Sequence, residues 1–339
     1  MDYARIAEVW RGPAVESVHL GAAAVANASG EVIYGWGDTG IVTFPRSSLK
    51  PIQAIALVET GAADAFGLGP EELALACASH RGEPIHTRRV AAWLDRLGLS
   101  EEALACGLAY PSDQDTVKEL IQTGIEPSRV FHNCSGKHCG YLTVARHMGW
   151  PIEGYRDLSH PTQRLYLDNF SVLLDSDAHA LPLGVDGCTL PALALSMADM
   201  ARSMARYAAA GADSDKRGDA IRRLQDAMRA HPALVAGTGQ PNVRLTDATN
   251  GRIIMKGGAE GYLVAFIPDQ ELGIALKVAD GNSRARTVAL LAVLRALKLL
   301  DANEAAALAD IAEVPVRNSV GDTVGHICAC CPPPATEKP

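Results

Sequence analysis

The strongest constraint on this chain's fold is a succession in its last third. Three short runs rich in β-branched and apolar residues, 252–256, 261–267 and 272–278, are followed by an apolar stretch with helical spacing over 284–300. Pro268-Asp269-Gln270 supplies turn chemistry between the second and third runs, so the strands read as neighbours in an antiparallel sheet. In the stretch that follows, Val288, Leu291, Ala292, Leu294 and Leu299 fall at helical offsets, and Asn282 or Ser283 can cap its start. Residues 17–36 read as two more strands around the turn cluster Asn27-Ala28-Ser29-Gly30, and residues 50–58 as a buried helix that stops before Gly61. Between about 70 and 234 the chain carries Ala, Leu and Arg at helical spacing, with Gly/Pro loops at 82–84, 110–113, 132–140 and 181–191.

The expected class is therefore α+β, an antiparallel sheet flanked by helices and carrying an α-rich insertion. The 339 residues are expected to form one catalytic unit, with a sheet part from 1–69 and 235–325, a mainly helical part from 70–234, and a loose Pro-rich tail over 328–339.

A net charge of −8, with 48% hydrophobic and 21% charged residues, is that of an ordinary globular protein and gives no basic footprint for nucleic acid or an anionic membrane. The start, Met1-Asp2-Tyr3-Ala4-Arg5, lacks the pattern of a secretory signal, and no apolar run approaches the length of a membrane span. Eight cysteines in a chain of this size without such a signal suit reduced thiols, some on a metal, and a cytoplasmic location.

Two constellations carry chemistry. In Ser47-Ser48-Leu49-Lys50 the serine and lysine stand at i and i+3, so on a helical turn the amine reaches the hydroxyl and, if neutral, takes its proton. Alone, this tetrapeptide reads by default as an N-cap serine with a surface lysine. Its order gives it weight: Ser79 follows at the end of an apolar helical run, and Lys256-Gly257-Gly258 ends a strand. That succession is similar to the S-x-x-K, loop-serine and K-T-G set of serine β-lactamases and penicillin-binding proteins, although the third element here is K-G-G and Arg81 stands where the second would carry asparagine. The second constellation joins residues 131–140 to Val185-Asp186-Gly187-Cys188. Two loops bearing Cys with His or Asp suit zinc, with Cys134 and Cys188 as ligands and His138, Cys139 or Lys137 completing the set; buried structural cysteines are the plainer alternative.

Taken together, residues 46–54, 78–83, 133–138 and 186–188 resemble the Rhizobium-type (class 3, asparaginase II family) L-asparaginases, over about residues 8–325. The resemblance implies hydrolysis of L-asparagine to L-aspartate and ammonia, a fold like that of serine β-lactamases and glutaminases, and a homodimer. It makes Ser47 the nucleophile with Lys50 as its partner, and Ser79 with Lys256 a second serine–lysine pair. It also implies a zinc on Cys134, Lys137 and Cys188, choosing Lys137 where spacing left three candidates.

For the charged ends of an amino-acid substrate, Arg46 and Asp186 are the candidates, with Asn133 and His138 as neighbours. A glutaminase or another serine–lysine acyl hydrolase is the alternative within enzymes, and a non-catalytic zinc-binding scaffold the alternative outside them.

Overall fold

A computed structural model describes residues 2–333. Its main sheet has eight strands: β1 (Ala4–Arg11), β2 (Ala14–Asn27), β3 (Val32–Trp36), β4 (Ile254–Gly257), β5 (Tyr262–Ile267), β6 (Leu272–Val278), β7 (Glu313–Arg317) and β8 (Thr323–Ala329). The order is β7-β8-β1-β2-β6-β5-β4, every pairing is antiparallel, and β3 also pairs with β2. The long β2 serves three partners because β1 lies opposite residues 14–21 while β3 takes residues 23–26, and β6 runs along residues 21–27.

Alternation along the strands sorts the core. Val25, Leu263, Ala265, Ile274 and Leu276 share one cluster with Val288, Leu291 and Leu294 of the helix Arg284–Ala296. Phe266, one residue out of phase, meets Tyr207 of the helix Met197–Ala210 edge to face, ring centroids 5.2 Å apart. The sheet is thus covered on both faces, which explains why β5 carries no charged residue and β6 only one, the buried Lys277.

The chain divides into two compact units. The first holds the residues up to Ser48, Leu195–Ala209 and those from Arg244 on, and contains the sheet; the second holds Leu49–Ala194 and Ala210–Val243 and is mainly helical. The sheet part expected to run to residue 69 therefore stops at Ser48, and Leu195–Ala209 returns to it, because that segment is the helix packed on Phe266. No helix among the described residues is long and apolar enough to cross a membrane.

Three local expectations need correction. The tail does not begin at Cys328: Cys328 and Ala329 finish β8 opposite Glu8 and Ala7, Cys330 N–H donates to Ile6 O (3.0 Å), and Tyr34 Oη donates to Pro333 O (2.9 Å). The prolines at 332–334 masked a preceding strand, and Pro315 masked its partner β7, where an edge position tolerates the missing donor. Residues 334–339 lie outside the described residues. The loop expected over 132–140 ends at Cys134, since Ser135–His147 is helical. Its glycines suggested a loop, but Gly136 is where this helix meets the carbonyl of Leu75 too closely for any Cβ. The helix expected over 50–58 is split into Lys50–Gln53 and Ile55–Glu59, with Ala54 still in the right-handed region between them.

Candidate active site

Arg46–Leu49, where the first unit's opening segment ends, forms a single 3₁₀ turn with Ser48 N–H donating to Pro45 O (3.1 Å), and Arg46 takes the left-handed φ of 54°. Ser47 is 9% exposed and Ser48 fully buried. Ser48 Oγ donates to Lys256 O (3.1 Å), which ties the serine turn to the end of β4. The closeness depends on Gly258, where a Cβ would overlap Pro45 O and lie 2.8 Å from Ser48 Oγ. Lys256 is buried, its Nζ donating to Gly257 O (2.6 Å). The S-x-x-K serine turn and the K-G-G strand end, 208 residues apart, are thus packed together as the sequence order suggested.

In the second unit, Lys50 is completely buried. Its Nζ donates to Ser79 Oγ (3.0 Å), to Ala78 O and to Asn133 O (3.4 Å). Ser79 lies just beyond the helix Pro70–Ala76, where its N–H donates to Val235 O (2.9 Å).

The next residue, His80, was not anticipated from sequence, and it holds this loop. Gly82 N–H donates to His80 Nδ1 (3.1 Å), which leaves the ring proton on Nε2 to donate to Ser135 Oγ (2.8 Å); Ser135 donates onward to Val130 O (3.0 Å). The ring stacks on His86, centroids 4.9 Å apart. Burial holds both imidazoles below the ordinary value of 6.5. Above that value folded and unfolded chains are both neutral there; below it only the unfolded chain takes up the proton, so stability falls with pH by up to about 1.4 kcal/mol per unit per histidine. Denaturant melts at pH 7.0 and 5.5 should show a shallower decline for His86→Gln than for wild type. Equal declines would refute the assignment.

The cysteine loops meet in the same unit. Cys134 closes the turn before the helix Ser135–His147, and Cys188 sits in the tight turn of a hairpin, Leu183–Val185 with Pro191–Leu193, closed by Thr189 N–H to Asp186 O (2.8 Å). Lys137 Nζ stands 3.0 Å from Cys188 Sγ, and the Cys134 and Cys188 thiols are hydrogen-bonded to each other. All three side chains are buried. The Cys188 bond, followed by the two lysines, holds the Cys134 thiol well below its usual range. Burial opposes charge on Lys137, but the two sulfurs and Asp186 outweigh it and push its amine up.

Of the candidates that spacing left open, Lys137 is the one against Cys188. His138 instead shares a hydrogen bond with Tyr155 through Nδ1 (2.6 Å), and its buried Nε2 has no partner among the described residues. Burial pushes the Cys139 thiol up. Among the described residues no three of His, Cys, Asp and Glu are grouped for a metal, so any such site rests on the lysine. Two sulfurs and an amine nitrogen, once deprotonated, are a donor set that zinc accepts.

The remaining candidates are spread. Asn133 is exposed, its carbonyl toward Lys50 and its Oδ1 3.2 Å from Cys134 Sγ. Asp186 shapes its own turn, Oδ1 accepting from Gly187 N–H (2.7 Å), while adding negative potential at Lys137. Arg46 is half-buried in the first unit.

These features belong to an amidohydrolase of the asparaginase type. The chain is a member of the L-asparaginase II family, whose model matches residues 7–329. A comparison with curated proteins finds no match. Among solved structures it is similar to a proposed β-lactamase from Bacteroides dorei, 12% identical, covering 81% of this chain and 93% of that one with a TM-score of 0.42. It is also similar to a β-lactamase from Mycobacterium bovis, 17% identical over 89% and 97% with a TM-score of 0.39. A third likeness is to Mglu, crystallised in 4.3 M NaCl, 17% identical over 83% and 62% with a TM-score of 0.38. At TM-scores below 0.5 these likenesses add no argument to the family match.

Proposed function

We propose that this protein hydrolyses L-asparagine to L-aspartate and ammonia through an acyl-enzyme on Ser47. The observation that carries the mechanism is the buried Lys50 amine bonded to the Ser79 hydroxyl, three residues along the chain from Ser47. Lys50, in its neutral form, takes the Ser47 proton as the hydroxyl attacks the side-chain carboxamide carbon. The backbone N–H of Ser47 receives the oxyanion. Ser79 passes the proton to the departing nitrogen, ammonia leaves, and water then releases aspartate from the ester. The resemblance assigns Lys256 to the second pair with Ser79; Arg46 and Asp186, with Asn133 and His138 as neighbours, are candidates for the substrate's polar groups by their chemistry and place beside the motifs.

Ammonia release measured with asparagine and glutamine side by side decides the substrate. Faster release from asparagine supports the reading, and a preference for glutamine replaces it with a glutaminase. No release from either supports a zinc-binding scaffold.

Zinc on Cys134, Lys137 and Cys188 is part of this proposal, supported by the donor set and its burial. When bound it would supply a fixed positive centre that orders the pocket. Elemental analysis should find about one zinc per chain in wild type and none in Cys188→Ser, as a three-ligand site requires. Chelation should raise KM more than it lowers kcat; complete loss of kcat would favour zinc-activated water instead. A cytoplasmic homodimer completes the proposal, on the resemblance and the cysteine usage.

A further inference from the structure

Arg286 stands in the first turn of the helix Arg284–Ala296, a turn without an acidic residue. Its Nη1 donates to Gly258 O (3.0 Å), and its Cζ, Nη1 and Nη2 lie 3.1–3.2 Å from the point a Cβ on Gly257 would occupy. The guanidinium therefore lies against the bare backbone of the K-G-G strand end, whose next neighbour is Ser48. This gives the departure from K-T-G a physical reason: a threonine at 257 would press its Cβ on the guanidinium.

The cation is largely buried, and burial pulls it below the ordinary arginine value with no carboxylate among the described residues acting against that; it stays charged. Arg284, two residues before it, is different: its Nε donates to His19 Nε2 (2.8 Å), and His19 Nδ1 lies 2.7 Å from Asp280. Arg286 is nevertheless not sealed: its side chain remains partly exposed, so an edge of it can be approached from solvent. A fold that withdraws a charge from water without a counter-ion loses stability, and an anionic ligand would restore the balance.

We propose that Arg286 binds the free carboxylate of the substrate, which makes the enzyme selective for carboxamides that carry an acid group. The inference rests on the amidohydrolase reading with Ser47 as nucleophile. A carboxylate presented to the open edge of the guanidinium would take two parallel hydrogen bonds while Nη1 keeps its bond to Gly258.

The test compares L-aspartate with β-alanine, which keeps the product carboxyl and the amine but lacks the α-carboxylate. Binding of each to the purified full-length protein is measured by calorimetry for wild type, Arg286→Gln and Arg286→Lys. Arg286→Gln should weaken aspartate by about 10- to 100-fold, the value of a charged hydrogen-bonded pair, and leave β-alanine within about threefold. Arg286→Lys should fall between, and it supplies the measurement if the glutamine variant does not fold. Equal weakening of both ligands would show that Arg286 only braces the strand, and unchanged binding of both would equally overturn the proposal. A carboxylate-selective loss in Arg46→Gln but not in Arg286→Gln would also overturn it. Should wild type release no ammonia from asparagine, the activity itself fails, while the aspartate measurement still decides Arg286.

Discussion

Ser47→Ala is expected to lower kcat/KM for asparagine by a factor of about 10³ or more, a barrier increase of about 4 kcal/mol, while leaving the melting temperature unchanged. The size follows from the chemistry, because an amide is a poor electrophile and the other hydroxyl on the turn, Ser48 Oγ, is fully buried and committed to Lys256 O. The stability should hold because the buried hydroxyl that ties this turn to β4 is that of Ser48, not Ser47. Steady-state ammonia release with a parallel thermal melt checks both. More than about a tenth of the wild-type rate, a barrier change under about 1.4 kcal/mol, would remove Ser47 from the role. Ser79→Ala is the companion measurement. Since Lys50 is bonded to Ser79, abolition there with survival of Ser47→Ala would transfer the nucleophile to Ser79.

The second large effect is expected at a residue with no side chain. Gly258→Ala drives a methyl into the carbonyl oxygen of Pro45, a backbone atom that cannot swing aside, and toward Ser48 Oγ. Overpacking of this kind costs about 1–3 kcal/mol of stability. The turn carrying Ser47 must move to accommodate it, and displacement of a reacting group by about 1 Å lowers turnover by about 100-fold. Gly257→Ala is the control for stability and kcat at saturating substrate, since its new methyl meets the flexible end of Arg286 rather than backbone; any displacement of that side chain should appear in KM. Similar damage from the two substitutions, measured by denaturant melts and kcat, would show that the strand end as a whole, rather than the contact with Pro45, sets the position of the serine turn.

Much of the sheet was legible because its signals are local. The runs at 254–257, 262–267 and 272–278 alternate between two covered faces, are separated by turns, and fall within a residue or two of the expected strands. The helix after them starts where expected, Asn282 Oδ1 accepting from Arg284 N–H (3.1 Å), but it ends at Ala296 instead of Leu300, because Lys298 takes a left-handed φ of 57°. What could not be read is what depends on distant partners. β7 carries a proline and exposes alternate residues, so only its pairing with β8 reveals it as a strand. Ser135–His147 contains two glycines, and its helical state rests on close packing against Leu75 that no local pattern shows.

In the site, the order of Ser47, Lys50, Ser79 and Lys256 was visible, but the bonds observed, Ser48–Lys256 and Lys50–Ser79, join other partners than the expected pairs Ser47–Lys50 and Ser79–Lys256. Spacing did not choose Lys137 over His138, because consecutive helix positions diverge by about 100° and only the fold decides which one faces Cys188. His80 and Arg286 were missed for the same reason: each stands beside a motif without belonging to its pattern, and its role lies in hydrogen bonds to other segments.

β1 and β8 are paired although most of the described chain lies between Ala7 and its partner Ala329. During translation β1 therefore keeps an unfilled edge until β8 has emerged, long after β2 has covered its other side. That edge must be shielded from competing strands in the meantime, which makes the yield of native protein sensitive to how quickly the intervening residues emerge and fold.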